Sequence, residues 1–150
     1  MQVITKIFGD VTIDEKKILD LPKGIIGFPD LKKFAIIHDS DKEDSGVAWF
    51  QSLDEPAFAM PVMDPLIVMK DYNPIVDDDI LSVLGDFKDE DILVLVTMSI
   101  PREIKDMTIN LKAPIVINAS NRKACQIIVD NDDYKIKYPI YEQLKNSSTP

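Results

Sequence analysis

Short apolar runs, each closed by glycine, proline or an acidic turn, recur along the whole chain, and few of them are long enough for a helix. Val3, Ile4, Ile7 and Phe8 precede a turn at Gly9 and Asp10, and Val11 to Ile13 follows, so the N-terminus reads as a hairpin. Asp14 and Glu15 make a second turn. Ile18, Leu19 and Leu21 continue an extended strand, after which Gly24, Gly27 and Pro29 punctuate the chain. Phe34 to Ile37 predicts a short buried strand, Asp39 to Gly46 a solvated loop, and Val47 to Ser52 the next strand. Phe58 to Met63 is another run, but Pro61 cannot donate to a ladder, which predicts an edge position or a bulge. Asp64 and Pro65 close it.

The one helix signal is at Asp77, Asp78 and Asp79, which precede Ile80, Leu81, Val83 and Leu84, with Gly85 as the C-terminal stop. Carboxylates at a helix start are stabilised by its free amides, by about 0.3 to 1 kcal/mol each. Ile92 to Met98 predicts a continuous apolar strand ending before Pro101. Thr108 to Asn118, TINLKAPIVIN, reads as two strand pieces broken at Pro114, with Ile109, Leu111, Ile115 and Ile117 as core positions. Ala124 to Val129 follows as a strand, then an acidic DNDD turn and an extended piece around Tyr134 to Tyr141. Eight to ten short strands with one or two short helices, and no alternation of strands with long helices, predict a mainly β, antiparallel, closed or nearly closed barrel-like fold. A single domain over 1–145 with a disordered polar tail from 146 to 150 accounts for the chain.

Composition agrees with a self-sufficient globular domain. The chain has 150 residues, 45% hydrophobic and 29% charged, with a mean hydropathy of −0.03. No apolar stretch approaches the roughly 20 residues that span a bilayer, and the N-terminus has no secretory pattern, so a cytoplasmic location with no membrane partner is expected. Cys125 is the single cysteine and sits in an apolar run, as a small strand residue would in a reducing compartment.

The formal net charge of −9 argues against direct binding of a nucleic acid and favours a basic protein partner, or serves solubility alone. From Asp71 to Asp91 eight acids stand against Lys88 alone, a local net of −7 in 21 residues, interleaved with Tyr72, Ile75, Leu84 and Phe87. Such a segment can steer a basic partner.

Candidate catalytic chemistry is thin. His38 is the single histidine and ends a strand, and no GxSxG elbow accompanies it. An EF-hand starting at Asp130 fails, because Lys135 stands where glycine is needed and Tyr141 where glutamate is needed. Zinc ligands and phosphate-cradling glycine motifs are missing as well, so neither a metal nor a cofactor is expected. The alternative reading is a small-ligand-binding or carboxylate-dependent β-barrel enzyme that uses Asp64, or Asp71 with Tyr72.

Five motifs taken in order carry a family resemblance: LPKGIIGF from Leu21, WFQS from Trp49 with Leu53 and Asp54, Asp64 with Pro65, Asp71 with Tyr72, and TINLKAPIVIN with Gln126. Over Val3 to Tyr138 the chain resembles the flagellar assembly factor family FliW. Phe50 departs from the pattern, where leucine is more usual, and this touches packing. The resemblance implies a cytoplasmic regulator that binds newly made flagellin. When flagellin is scarce it binds and antagonises CsrA, an RNA-binding homodimer that represses flagellin synthesis. A partner switch of this kind needs no active site, and a monomer suffices for it. The candidate contact residues are Asp71, Tyr72, Asp77, Asp78, Asp79 and Phe87, chosen for charge and aromatic placement. Only Asp71 and Tyr72 also match a family motif.

Overall fold

The structure, a computed structural model, describes residues 2–6, 8–38, 47–74, 82–129, 131 and 133–143. Eleven strands dominate the described residues: β1 (Gln2–Thr5), β2 (Gly9–Thr12), β3 (Leu19–Asp20), β4 (Lys33–Ile37), β5 (Val47–Ser52), β6 (Ala59–Met63), β7 (Ile92–Ser99), β8 (Thr108–Ile109), β9 (Ile115–Asn118), β10 (Lys123–Gln126) and β11 (Tyr138–Pro139). β1 and β2 form a separate hairpin. The others lie in the order β11-β8-β7-β6-β5-β4-β3-β10-β9, and an added β7–β9 pairing returns the sheet to itself. Seven strands therefore close a ring of hydrogen-bonded pairs, all antiparallel except the single β3–β10 contact at Asp20 and Lys123. Closure removes the long exposed edges that an open sheet would present.

Alternation along the strands sorts the side chains into clusters on the two sides of the ring. Leu19, Phe34, Phe50, Val62, Leu95, Ile115, Ile117 and Ala124 pack as one cluster, with the Phe34 and Phe50 rings stacked at 4.5 Å. Val96, Met98, Ile109, Leu111, Tyr72 and Ile140 form a second, and Leu84, Val116, Cys125, Ile127 and Val129 a third. The apolar run of β9 is continuous because both of its faces are covered, whereas β7 buries Leu95, Val96 and Met98 and leaves Leu93 exposed. Each buried Phe, Ile or Leu contributes roughly 1.5–3 kcal/mol to the fold.

TINLKAPIVIN lies along a single edge of β7. Ser99 and Met98 pair with Thr108 and Ile109, and Leu95 to Ile92 pair with Ile115 to Asn118. Between these ladders five residues, Asn110 to Pro114, face only Thr97 and Val96, so the motif bulges away from β7 instead of ending and restarting elsewhere. Ile109, Leu111, Ile115 and Ile117 are all buried, as expected of core positions.

Three expectations shift. The N-terminal turn falls before Gly9, where Thr5 Oγ1 accepts from Phe8 N at 2.8 Å and donates to Gly9 O at 3.0 Å, so Gly9 and Asp10 already belong to β2. Strand β6 is paired on both sides and is not an edge strand. β7 takes up only its Val62 and Met63, however, so Pro61 stands where that side of β6 is unpaired. Of the helix signal only the end is described, a 3-10 turn at Ser82–Leu84, and Asp77 to Leu81 lie outside the described residues. Gly85 does stop it, with φ of 73°. β10 ends at Gln126, but Ile127 and Val129 continue alongside the bulge by bonding Pro114 O and Lys112 O.

Candidate functional site

The Asp71–Tyr72 pair is set by the turn before it. Asp64 caps a 3-10 turn at Pro65–Ile67 by accepting from Leu66 N at 2.9 Å, and Tyr72 N then bonds Met69 O at 3.1 Å. This winding sends Tyr72 inward and leaves Asp71 exposed. The Tyr72 hydroxyl donates to Leu111 O at 2.7 Å, and its ring packs against Tyr134 at 4.7 Å. Tyr134 Oη in turn accepts from Asn73 N at 2.8 Å. Burial, with a smaller contribution from Tyr134, pushes the Tyr72 phenol well above the ordinary tyrosine range. Tyr72 therefore supports the bulge of TINLKAPIVIN from inside and is closed to a partner's approach in this structure.

The other end of the same motif holds the described end of the acidic segment. Asn118 is fully buried, and its Nδ2 donates to Leu84 O at 2.9 Å and Asp86 O at 3.0 Å. Its Oδ1 accepts from Ser120 N and Ser120 Oγ, and Asn121 Nδ2 adds a 2.7 Å bond to Leu84 O. Beyond Gly85 the chain returns to the barrel where Ala119 N bonds Asp91 O at 2.9 Å. Within the loop Lys88 N bonds Asp91 Oδ2 at 3.0 Å. Asp86, Phe87 and Glu90 are left exposed on a loop tied down at both ends, with Phe87 36% accessible.

The structure thus separates the candidate residues. Asp71 stands at the bulge end of the motif and Phe87 at the Asn118 end, Tyr72 is internal, and Asp77, Asp78 and Asp79 lie outside the described residues. Residue type and charge along the chain did not reveal Asn118 or Gln126 as organising residues. Gln126 Oε1 accepts from Ile26 N at 2.9 Å and its Nε2 donates to Ala113 O at 3.1 Å, joining the LPKGIIGF loop to the bulge. Gln51 of WFQS is also fully buried, and its Nε2 reaches the carbonyls of Ser52, Pro56 and Phe58. Asp54 Oδ2 accepts from Lys32 N and Lys33 N at 2.7 and 2.9 Å, fixing the start of β4.

Among the described residues the side chains considered for catalysis are engaged in other contacts or stand apart. Asp64 is engaged as a cap, and the Tyr72 proton is committed to Leu111. Burial raises the Cys125 thiol, with Lys23 partly offsetting it, so it is no activated thiolate. His38 is exposed at the end of β4. Among the described residues no three His, Cys, Asp or Glu side chains are placed to hold a metal ion, and no helix is long and apolar enough to cross a membrane.

What this defines is a closed β domain whose polar side chains brace loops and whose acidic loop over residues 85–91 is tied down at both ends. Residues 2–140 match the family model described as FliW protein, and the chain belongs to that family of flagellar assembly factors. A protein of Lachnospira eligens named flagellar assembly factor FliW is 46% identical over 147 residues, covering 97% of each chain. One of the same name from Lachnoclostridium phytofermentans is 44% identical, covering 97% of this chain and 94% of its own. A crystal structure of the flagellar assembly factor FliW superposes with a TM-score of 0.85 at 31% identity, covering 93% of this chain and 96% of the other.

Proposed function

We propose that this chain is a cytoplasmic, monomeric partner switch: it binds flagellin and, when free of flagellin, binds the translational repressor CsrA and relieves repression of flagellin synthesis. The observation that carries the reading is family membership across residues 2–140. Charge supports it, since a protein of net charge −9 can dock on a basic RNA-binding partner and weaken that partner's hold on phosphate. The contact surface for CsrA is the acidic stretch beginning at Asp71, with Asp77, Asp78 and Asp79 and with Phe87 as the apolar anchor. Tyr72 acts from beneath, holding the loop that carries Asp71.

The test is a competition assay with purified CsrA, flagellin and this chain. Flagellin is expected to release CsrA from the chain in proportion to its own binding. A stable complex of all three, or failure of the chain to bind either protein, overturns the switch.

A further inference from the structure

We propose that the groove on the outer face of β3 receives a carboxylate-bearing segment of flagellin, with Arg122 and Lys123 as the groups that hold it. The proposal rests on the partner-switch reading above and adds the place and the chemistry of the second contact.

A row of charge crosses three strands at the floor of this groove. Asp20 of β3 is in register with Lys33 of β4 on one side and with Lys123 of β10 on the other, so the three side chains share a face. Their neighbours Leu19, Phe34 and Ala124 pack on the opposite face, in the first apolar cluster. Apolar covers flank the row. Val3 and Ile13 pack with Ala35 of β4, and Leu84 packs with Val116 of β9 and Cys125 of β10. The groove over the row holds about 500 Å³, and Glu15, Ile18, Leu53, Asp54 and Arg122 complete its lining.

Two of the three acids in the lining are spent within the chain. Asp20 Oδ1 pairs with Lys33 Nζ at 3.2 Å, and Asp54 Oδ2 accepts from Lys32 N and Lys33 N. Glu15 remains, and against it stand Arg122 and Lys123, both exposed. Lys16 and Lys17 follow Glu15 in the same 3-10 turn and are exposed as well. In a chain of net charge −9 the charge offered to a partner here is positive.

Arg122 is held for this task at a steric cost. Its φ of 63° is left-handed, and it is the one non-glycine residue with positive φ among the described residues. Glycine would take that conformation freely, whereas the arginine Cβ opposes it. Strain of this kind is kept where the surrounding bonds enforce it and the side chain is needed. Arg122 N donates to Asn118 O and Arg122 O accepts from Asp20 N, both at 2.8 Å. Its Nη1 donates to Glu15 O at 3.0 Å, which uses one of the five N–H groups of the guanidinium and fixes the fork at the rim of the groove.

A fixed guanidinium with a lysine beside it and Ile18 and Leu53 in the same groove matches a carboxylate that neighbours an apolar side chain. CsrA, a basic protein, is drawn to the acidic stretch, so the groove of opposite sign falls to flagellin. Both surfaces hang on one turn, because Asn118 and Asn121 hold Leu84 O on its other side. A protein seated in the groove therefore crowds one seated on the acidic loop, which gives the exchange of partners a steric origin.

The experiment is calorimetric titration of purified flagellin, and separately of CsrA, into the full chain and two variants at low and high salt. Arg122→Gly removes the guanidinium and relieves the left-handed backbone, so its melting temperature is expected to be no lower than the parent's. Lys123→Glu changes only an exposed side chain and leaves the Lys123 N bond to Asn121 in place. Each is expected to weaken flagellin binding at least about tenfold at low salt, Lys123→Glu by less at high salt, with CsrA affinity as in the parent. Should Arg122→Gly melt lower than the parent, Lys123→Glu alone decides. Flagellin binding to Lys123→Glu as tightly as to the parent overturns the groove and leaves the partner switch standing. Loss of CsrA affinity with flagellin affinity intact overturns the assignment of the groove to flagellin. If the parent chain binds no flagellin, the partner switch falls and the groove falls with it.

Discussion

The hydroxyl of Tyr72 donates to the carbonyl of Leu111 at 2.7 Å, across 39 residues of sequence and inside the protein. This bond joins two of the family motifs and supports the bulge where the motif leaves β7. Replacing Tyr72 with Phe keeps the ring packing on Tyr134 but leaves a buried carbonyl short of its donor. The cost expected is about 1–3 kcal/mol, measured as a lowered urea midpoint with an unchanged slope.

The same bond sets a pH dependence. Burial raises the folded-state phenol above its unfolded value of about 10. The unfolded chain therefore gives up this proton first as pH rises. Stability from Tyr72 is fully present below about pH 10 and is lost as pH climbs from there toward the folded value. Urea unfolding of the parent chain should show this alkaline slope, and Tyr72→Phe should show a shallower one.

Asn118 fixes the acidic loop through Leu84 O and Asp86 O. Asn118→Ala removes both donors and the acceptor used by Ser120, while Asn121 still holds Leu84 O. A loss of about 1–3 kcal/mol is expected. Amide exchange should quicken from Gly85 to Asp91 more than at the Phe34 and Phe50 core.

Two glycines of the LPKGIIGF loop separate backbone strain from steric exclusion. Gly24 and Gly27 both have positive φ, at 67° and 88°. A Cβ on Gly24 would lie 2.5 Å from Pro29 O, whereas nothing lies within 4 Å of one on Gly27. Gly27→Ala should cost only the left-handed conformation, about 1–2 kcal/mol. Gly24→Ala must also displace backbone at Pro29 and should lower the melting temperature clearly more, by calorimetry on the two variants side by side.

The strands were legible in sequence because their period and their turn residues are local properties. Asp14 at its turn, Gly85 at its stop and the break near Pro114 all fell where glycine, proline and acidic residues placed them. Closure of the ring was harder, since it depends on β9 returning to β7, a pairing no local pattern encodes. The orientation of Tyr72 was hidden for a similar reason. Its exposed neighbour Asp71 and the surrounding acids read as surface, but the capped turn at Pro65–Ile67 rotates the ring inward. Asn118 carried no signal of its own, because a polar residue at a strand end ordinarily faces solvent, and its burial follows from carbonyls 32 and 34 residues away.

The acidic stretch and Phe87 give predictions that differ in salt dependence. Reversing Asp77, Asp78 and Asp79 to lysine should weaken CsrA binding strongly at low salt and much less at high salt, because screening removes what exposed charges contribute beyond about 10 Å at 0.1 M. Phe87→Ala acts otherwise. The ring is 36% exposed and belongs to none of the buried clusters, so its loss should leave the melting temperature unchanged. As an apolar anchor it should cost about 2 kcal/mol of CsrA affinity, roughly thirtyfold, at low and high salt alike. Calorimetric titration of CsrA into the parent and both variants at two salt concentrations reads these effects together. Unchanged affinity in the triple lysine variant at both salts would remove the acidic stretch as the contact surface. Unchanged affinity in Phe87→Ala would remove the anchor alone.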